Sequence, residues 1–274
     1  MDWRYYKSMI QGVGDPRNNK PLSKPEQRYL FNKYKKALLL RYTTHFDDID
    51  TQNWFFCLKD SPYDFAGLKS KRKNVVRKGI NNFTVKEIKL SEHVQAFCDL
   101  VNDAYQGYEN PNQITYVQAE KKAAAIDERE DYFVLGAFCN ENEKLVGYVW
   151  CHVNGKWITM SEQKAVRAYE NLGVNAALCH GLCTLYNEKY ADCILCDGER
   201  NVLHKTAFQD YLIKYFGFRY AYCKLHVVFN PRYALLIRAA LALLPAYGWL
   251  LKKVKPKLYE QIRAIKNLKK LSGR

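Results

Sequence analysis

Three apolar runs follow one another between Tyr132 and Met160: Tyr132–Cys139 (YFVLGAFC), Leu145–Val153 (LVGYVWCHV) and Lys156–Met160 (KWITM). Only Asn140-Glu141-Asn142 and its neighbours, then Asn154-Gly155, separate them. Spacers this short cannot hold a crossover, which takes a dozen or more residues, so the runs pair as antiparallel neighbours. Asn-Gly between alternating apolar runs is also the strongest short hairpin signal. The centre of the chain is therefore an antiparallel meander, and the remaining segments must cover or extend it.

The meander leads to Ser161–Tyr190, where Val174, Leu178, Gly181, Leu182 and Leu185 line one face of a helix that begins after Asn171-Leu172-Gly173. Next comes Ala191–Phe229. Ile194 and Leu195 form a short apolar strand that stops at Asp197-Gly198, a turn signal. Phe208, Tyr211, Leu212 and Tyr215 follow helical spacing, and Gly217 sits where such a helix ends. Phe218–Phe229, rich in aromatic and β-branched residues, reads as one long closing strand.

Upstream, residues 1–22 are punctuated by Gly, Pro and Asn and read as an irregular lead-in. Ser23–Leu40 reads as a helix, with Ser23 as N-cap, Pro25 and Glu26 in the first turn, and Leu30, Tyr34, Ala37 and Leu38 on one face. Trp54–Leu58 is a short buried strand. Between Lys69 and Lys78 six of ten residues are basic, and Leu68, Val75 and Val76 give that segment an apolar side. It reads as a basic amphipathic helix ended by Gly79 and Asn81-Asn82, followed by a strand over Phe83–Ile88. Such a face is either plain solvated surface or a site for phosphates or a nucleic-acid backbone. Helices over Ser91–Tyr105 and near Gln118–Ile126 flank a loop with Tyr108, Asn110, Pro111 and Asn112, a mobile polar insertion suited to be one wall of a pocket.

The tail divides sharply. Tyr233–Leu251 carries a single charge, Arg238, and approaches the length of a membrane span, but Arg238, Pro245 and Gly248 interrupt it. Lys252–Arg274 has nine basic residues against Glu260, and Leu258, Ile262, Ile265 and Leu268 form a helical stripe. With Tyr247 and Trp249 at its start, this pattern fits either interfacial contact with an anionic membrane or a packed helix with lysines in water.

The 48% hydrophobic and 14% aromatic content excludes a disordered chain, and the net charge of +15 points to an acidic partner: nucleic acid, a phosphorylated ligand or an anionic membrane. The nine cysteines are odd in number and scattered through the elements, so they read as reduced thiols. Cys193 with Cys196, and Cys179 with Cys183 beside His180, lack the paired loop-flanking ligands of a zinc site, so no metal is expected. The segment MDWRYYKSM has no apolar h-region, so the reading is a cytoplasmic protein, with peripheral attachment to the inner face of the cell membrane as an option.

A helix that starts from a Gly-containing loop after the third meander strand resembles the GNAT acyltransferase superfamily, in which that loop and helix hold the pyrophosphate of an acyl-CoA. Of the family pattern there, Gly173 matches, whereas Glu170 and Asn175 depart. Lys69–Val85 (KSKRKNVVRKGINNFTV), Gly173–Leu182 (GVNAALCHGL) and Cys196–Pro231 (CDGERNVLHKTAFQDYLIKYFGFRYAYCKLHVVFNP) more closely resemble the FemAB-like branch, over about residues 54–231. The resemblance implies an α+β, GNAT-like fold: a mixed, mostly antiparallel sheet flanked by helices, with a basic helical tail. It implies an N-terminal extension over 1–60, an acyltransferase domain over 61–230 and C-terminal helices over 231–274.

It also implies an N-acyltransferase moving an acyl group from an activated donor, acyl-CoA, to an amine acceptor such as an amino sugar or another small or lipid-linked cell-envelope precursor. The alternatives are an aminoacyl-tRNA-dependent FemAB-like transferase, or a non-catalytic protein that binds nucleic acid or membrane. Backbone N–H groups near Met160 and Ser161 would receive the oxyanion, and Asn171, Gly173, Val174 and Asn175 would face the cofactor. Glu162, Glu199 or His204 would act as general base, Tyr211 as proton donor to the leaving group, and Asp197 with Arg200 would position the acceptor. Lys71, Arg72, Arg77 and Lys78 would bind phosphates.

Overall fold

The computed structural model describes residues 2–48, 53–106, 113–203 and 207–273. In chain order the strands are β1 (Asp2–Tyr6), β2 (Met9–Val13), β3 (Leu39–Thr44), β4 (Phe55–Lys59), β5 (Phe83–Glu87), β6 (Tyr132–Cys139), β7 (Leu145–Asn154), β8 (Trp157–Ala165), β9 (Ile194–Glu199), β10 (Arg219–Tyr222) and β11 (Lys224–Phe229). The helices are α1 (Lys24–Lys33), α2 (Ser70–Asn82), α3 (Val94–Tyr105), α4 (Tyr116–Asp127), α5 (Val174–Lys189), α6 (Ala207–Phe216), α7 (Ala234–Val254) and α8 (Pro256–Leu271). Two compact units result: Met1–Phe56 with Glu199–Thr206 and Tyr220–Arg274, and Cys57–Gly198 with Ala207–Arg219.

The first unit carries the sheet β1-β2-β3-β11 with α1, α7 and α8. The expected irregular lead-in holds only over residues 14–22, because β1 and β2 form a hairpin over Asp2–Val13. Tyr6 pairs with Met9, so Lys7 and Ser8 form a two-residue hairpin loop, and both have positive φ (46° and 63°). Two positive φ values are the signature of a type I′ turn, but without Asn or Gly the turn carries no sequence signal. At α1 Ser23 is the N-cap as expected, and with Glu26 it forms a capping box: the Ser23 backbone N–H donates to Glu26 Oε2 at 2.7 Å, and Glu26 N–H donates to Ser23 Oγ at 3.4 Å.

The helix nevertheless ends at Lys33 rather than Leu40. Leu39–Thr44 is a strand, held parallel to β2 and antiparallel to β11. Its partner β11 lies some 180 residues downstream in sequence, too far for local spacing to reveal (Lys224↔Thr44). The expected closing strand is likewise divided at Cys223 into β10 and β11, which join different sheets.

The second unit is built on the neighbouring strands β4-β9-β8-β7-β6-β5. The meander forms as expected, with β6 antiparallel to β7 and β7 to β8. Asn154 pairs with Trp157, so the turn is Gly155-Lys156, one residue later than the Asn-Gly signal suggests. Gly155 has φ of +56° at the first central position, where a type II′ turn calls for glycine. One face of the meander is covered by α3 and α4, whose Phe97, Leu100, Val101, Ala119 and Ala123 bury with Tyr148 and Val134. The loop residues Tyr108, Asn110, Pro111 and Asn112 lie outside the described residues.

Gly79 does not end α2, which continues to Asn82. A Cβ on Gly79 would lie 2.5 Å from the Gly173 carbonyl oxygen, and one on Gly173 would lie 3.0 Å from Gly79 Cα. The two glycines let α2 and the start of α5 approach backbone to backbone, and Gly173 also takes a φ of +93°. Asp197-Gly198 is not a turn either: both lie within β9, where Gly198 adopts φ of +115°.

Candidate active site

Strand β8 is irregular toward both neighbours near Met160–Ser161: it bulges against β7, with which it stays paired to Ala165, and its pairing with β9 stops. Toward β7, Cys151 pairs with Met160 but Trp150 pairs with Glu162, so Ser161 is the extra residue of a β-bulge. Toward β9, parallel pairing covers Trp157↔Ile194, Ile158↔Leu195 and Thr159↔Cys196. Beyond those pairs, Met160–Ala165 of β8 and Asp197 of β9 line a cavity of about 320 Å3, together with Asn175 of α5, Phe208 of α6 and Ala104 of α3.

The bulge also selects which side chain faces where. Without it, Glu162 would stand opposite Val149; with it, Glu162 stands opposite Trp150, on the same face as Tyr148 two residues away. Tyr148 Oη donates to Glu162 Oε1 at 2.5 Å, and Lys122 Nζ of α4 reaches the same oxygen at 2.8 Å. Burial pushes the Glu162 carboxyl up, but the Lys122 charge and the bonds from Lys122 and Tyr148 outweigh it and hold its pKa below the usual value. Glu162 is thus a fixed anion. Burial drives the Tyr148 hydroxyl strongly upward, with the Glu162 charge adding to the effect.

Asp197 has the opposite character. Burial raises its pKa to about 7, and the hydrogen bond from Gln209 opposes this only in part. Gln209 is itself buried on α6. One cavity therefore holds a carboxylate that stays ionised and a second that changes state near neutrality, the division of labour expected of an electrostatic anchor and a general base. Gln163 donates to Asn175 Oδ1 at 3.0 Å, which ties β8 to the first turn of α5.

Of the expected residues, Met160, Ser161, Glu162, Asn175 and Asp197 come together at this cavity. Asn171 is exposed in the 3-10 turn Arg167–Leu172, Val174 is buried, and Gly173 packs on Gly79. The Gly173 loop also lies beside the last turn of α2, with the Lys78 backbone 3.6 Å from a Gly173 Cβ. Lys71, Arg72, Arg77 and Lys78 are exposed on α2, and among the described residues none of them is paired with an acid.

Glu199 belongs to the first unit, where Arg41 lies at 3.3 Å and Trp54 Nε1 donates to it at 3.0 Å. Arg200 is in that unit too, donating to the Asn53 carbonyl at 2.9 Å. His204 lies outside the described residues. Tyr211 packs among Phe208, Tyr215 and Phe216, and burial pushes its hydroxyl up. Residues that sequence reasoning missed are Lys122, Tyr148, Gln163, Phe208 and Gln209. Tyr148 carried a signal, the two-residue strand period, but the bulge at Ser161 is what turns Glu162 toward it. Among the described residues no three His, Cys, Asp or Glu side chains gather to hold a metal.

The meander, the fork between β8 and β9 and the helix that starts at Gly173 define a GNAT-like fold. The structure of FemX shares it over 85% of each chain, with a TM-score of 0.54 at 10% sequence identity. Two more distant likenesses are L-PGS from Bacillus licheniformis (TM-score 0.47, 12% identity, 83% of this chain and 79% of that one) and the PaiA N-acetyltransferase from Thermoplasma acidophilum in complex with coenzyme A (0.32, 13%, 39% and 74%). No family model and no curated protein matches the sequence.

Proposed function

We propose that the cavity at the β8–β9 fork transfers an acyl group from an activated, phosphate-bearing donor to an amine. The observation that carries this reading is the pairing of ionised Glu162 with Asp197, whose pKa of about 7 suits a general base. The fixed negative charge of Glu162 would attract the acceptor ammonium. Asp197 would take one proton from that ammonium, freeing the nitrogen lone pair to attack the acyl carbon, and the second proton the nitrogen loses would go to the leaving group. Backbone N–H groups near the Ser161 bulge, where β8 has parted from β9, would receive the developing oxyanion. Collapse would break the bond from the acyl carbon to its leaving group, which departs with a proton.

Acyl-CoA is the donor we favour, and the residues present fit its phosphates in part. The start of α5 has no side-chain cap, and α2 brings the Lys78 backbone beside Gly173. Glu170 on the same loop opposes an anion there. An amino sugar or another envelope precursor is the acceptor class proposed. The six basic residues from Lys69 to Lys78 favour a second reading, in which the donor is an aminoacyl-tRNA whose α-ammonium meets the acidic cavity.

Purified protein incubated with radiolabelled acyl-CoAs or aminoacyl-tRNAs and a panel of amino-sugar acceptors tests both readings. Transfer that falls by a factor of about 10²–10⁴ in Asp197→Asn supports the assignment. Absence of transfer from both donors, or full activity in Asp197→Asn, overturns it.

A further inference from the structure

We propose that α7 and the lysine-rich corner between α7 and α8 dock this protein onto the surface of an anionic lipid bilayer. The inference rests on the first unit alone and holds whether or not the cavity performs acyl transfer. Helix α7 has 21 residues, is long and apolar enough to cross a membrane by length and composition, and is only 11% buried over its most apolar stretch. Its inner side packs on α8, with Gly248 buried against Tyr259. Helix α8 is anchored in turn: Ile265 and Leu268 are buried, and Asn267 donates to the Val202 carbonyl at 3.1 Å. The outer side of α7 is apolar and open. Leu235 is 78% exposed, Leu236 70%, Leu243 54% and Trp249 72%. Soluble surfaces rarely leave so long an apolar strip uncovered.

Charge identifies the occupant. Lys252, Lys253, Lys255 and Lys257 lie just beyond Trp249, after Leu250 and Leu251; all four are exposed, and none is paired with an acid among the described residues. A second protein copy would bring the same positive corner to the contact and repel it, whereas anionic headgroups neutralise it. Tyr247 and Trp249 at the boundary between the apolar strip and the lysines match the order of depths in an interface, with acyl chains, then aromatic rings, then headgroups. Arg238 within α7 and the packing of α7 on α8 oppose a true span.

Flotation of the full-length protein with phosphatidylcholine vesicles, with and without phosphatidylglycerol, tests this. Binding is expected only to the anionic vesicles and should fall at high salt. Leu236→Asp with Leu243→Asp should abolish it. Replacing the four corner lysines by Glu should weaken it by on the order of a hundredfold or more, at roughly fivefold for each lysine. All six positions are exposed, so circular-dichroism melting should match that of the parent and separate lost docking from lost folding. Three results would each overturn the proposal: no binding to either vesicle, equal and carbonate-resistant binding to both, which means insertion, or a dimer that the double Asp variant makes monomeric.

Discussion

Replacing Asp197 by Asn should stabilise the protein, and by an amount that depends on pH. The carboxyl is raised from 3.8 to about 7 chiefly by burial. Below pH 4 it is protonated in both folded and unfolded chains, so the substitution changes little. Between pH 4 and 7 the unfolded chain loses its proton while the folded one keeps it, and the wild type loses stability as pH rises. Above 7 the folded state carries the full cost of a desolvated anion. At 1.36 kcal/mol per pH unit the interval from 3.8 to about 7 is worth roughly 4 kcal/mol. The carboxyl borders an open cavity, so solvent screens part of this, and a gain of about 1–3 kcal/mol is expected. Guanidinium unfolding of both proteins at several pH values between 4 and 8 gives the difference directly. A difference that is flat with pH, or one that shrinks as pH rises, refutes the argument. If transfer is detected, its rate should rise with pH through about 7 as Asp197 becomes a base, and Asn at that position should remove that limb.

Other expectations rest on single contacts. Tyr148→Phe removes the hydroxyl from Glu162 and should cost about 1 kcal/mol in chemical denaturation; no loss would show that the bond contributes nothing net. Lys59 is fully buried, its Nζ has no hydrogen-bond partner among the described residues, and burial lowers its pKa. Lys59→Met should therefore be neutral or stabilising at pH 7, and the gain should shrink as pH rises from that lowered value to 10.5, where neither state is charged; marked destabilisation would show that the amine is needed. Gly79→Ala forces a Cβ against the Gly173 carbonyl and should cost about 1–3 kcal/mol by thermal unfolding, whereas unchanged stability would mean that α2 and α5 separate freely.

Local chemistry was enough to place the meander, the capped start of α1, the helix from Val174 and the stop at Gly217, because each depends on residues within a few positions of one another. Met160, Ser161, Glu162 and Asp197 read as strand-end and turn residues and Asn175 as a helix start; Asn175 does lie in the first turn of α5, but Met160–Glu162 and Asp197 lie inside β8 and β9. Tertiary structure decided the rest. Strand β3 is a strand because β2 and β11 flank it, and no local signal outweighs the helix-like run before it. Gly79 and Gly173, which read as a helix stop and a phosphate glycine, are where two helices touch. Glu199 and Asp197 are two residues apart, yet one joins Arg41 and Trp54 while the other lines the cavity. A one-residue bulge at Ser161 decides that Glu162 meets Tyr148 and Lys122. The sequence determines the meander, most of the helices and the basic surface, since those follow from neighbours along the chain, but not β1, β2 or β3. Which carboxylate stays charged and which titrates near neutrality is set by burial and by partners 14 and 40 residues away, and only the folded chain brings these together.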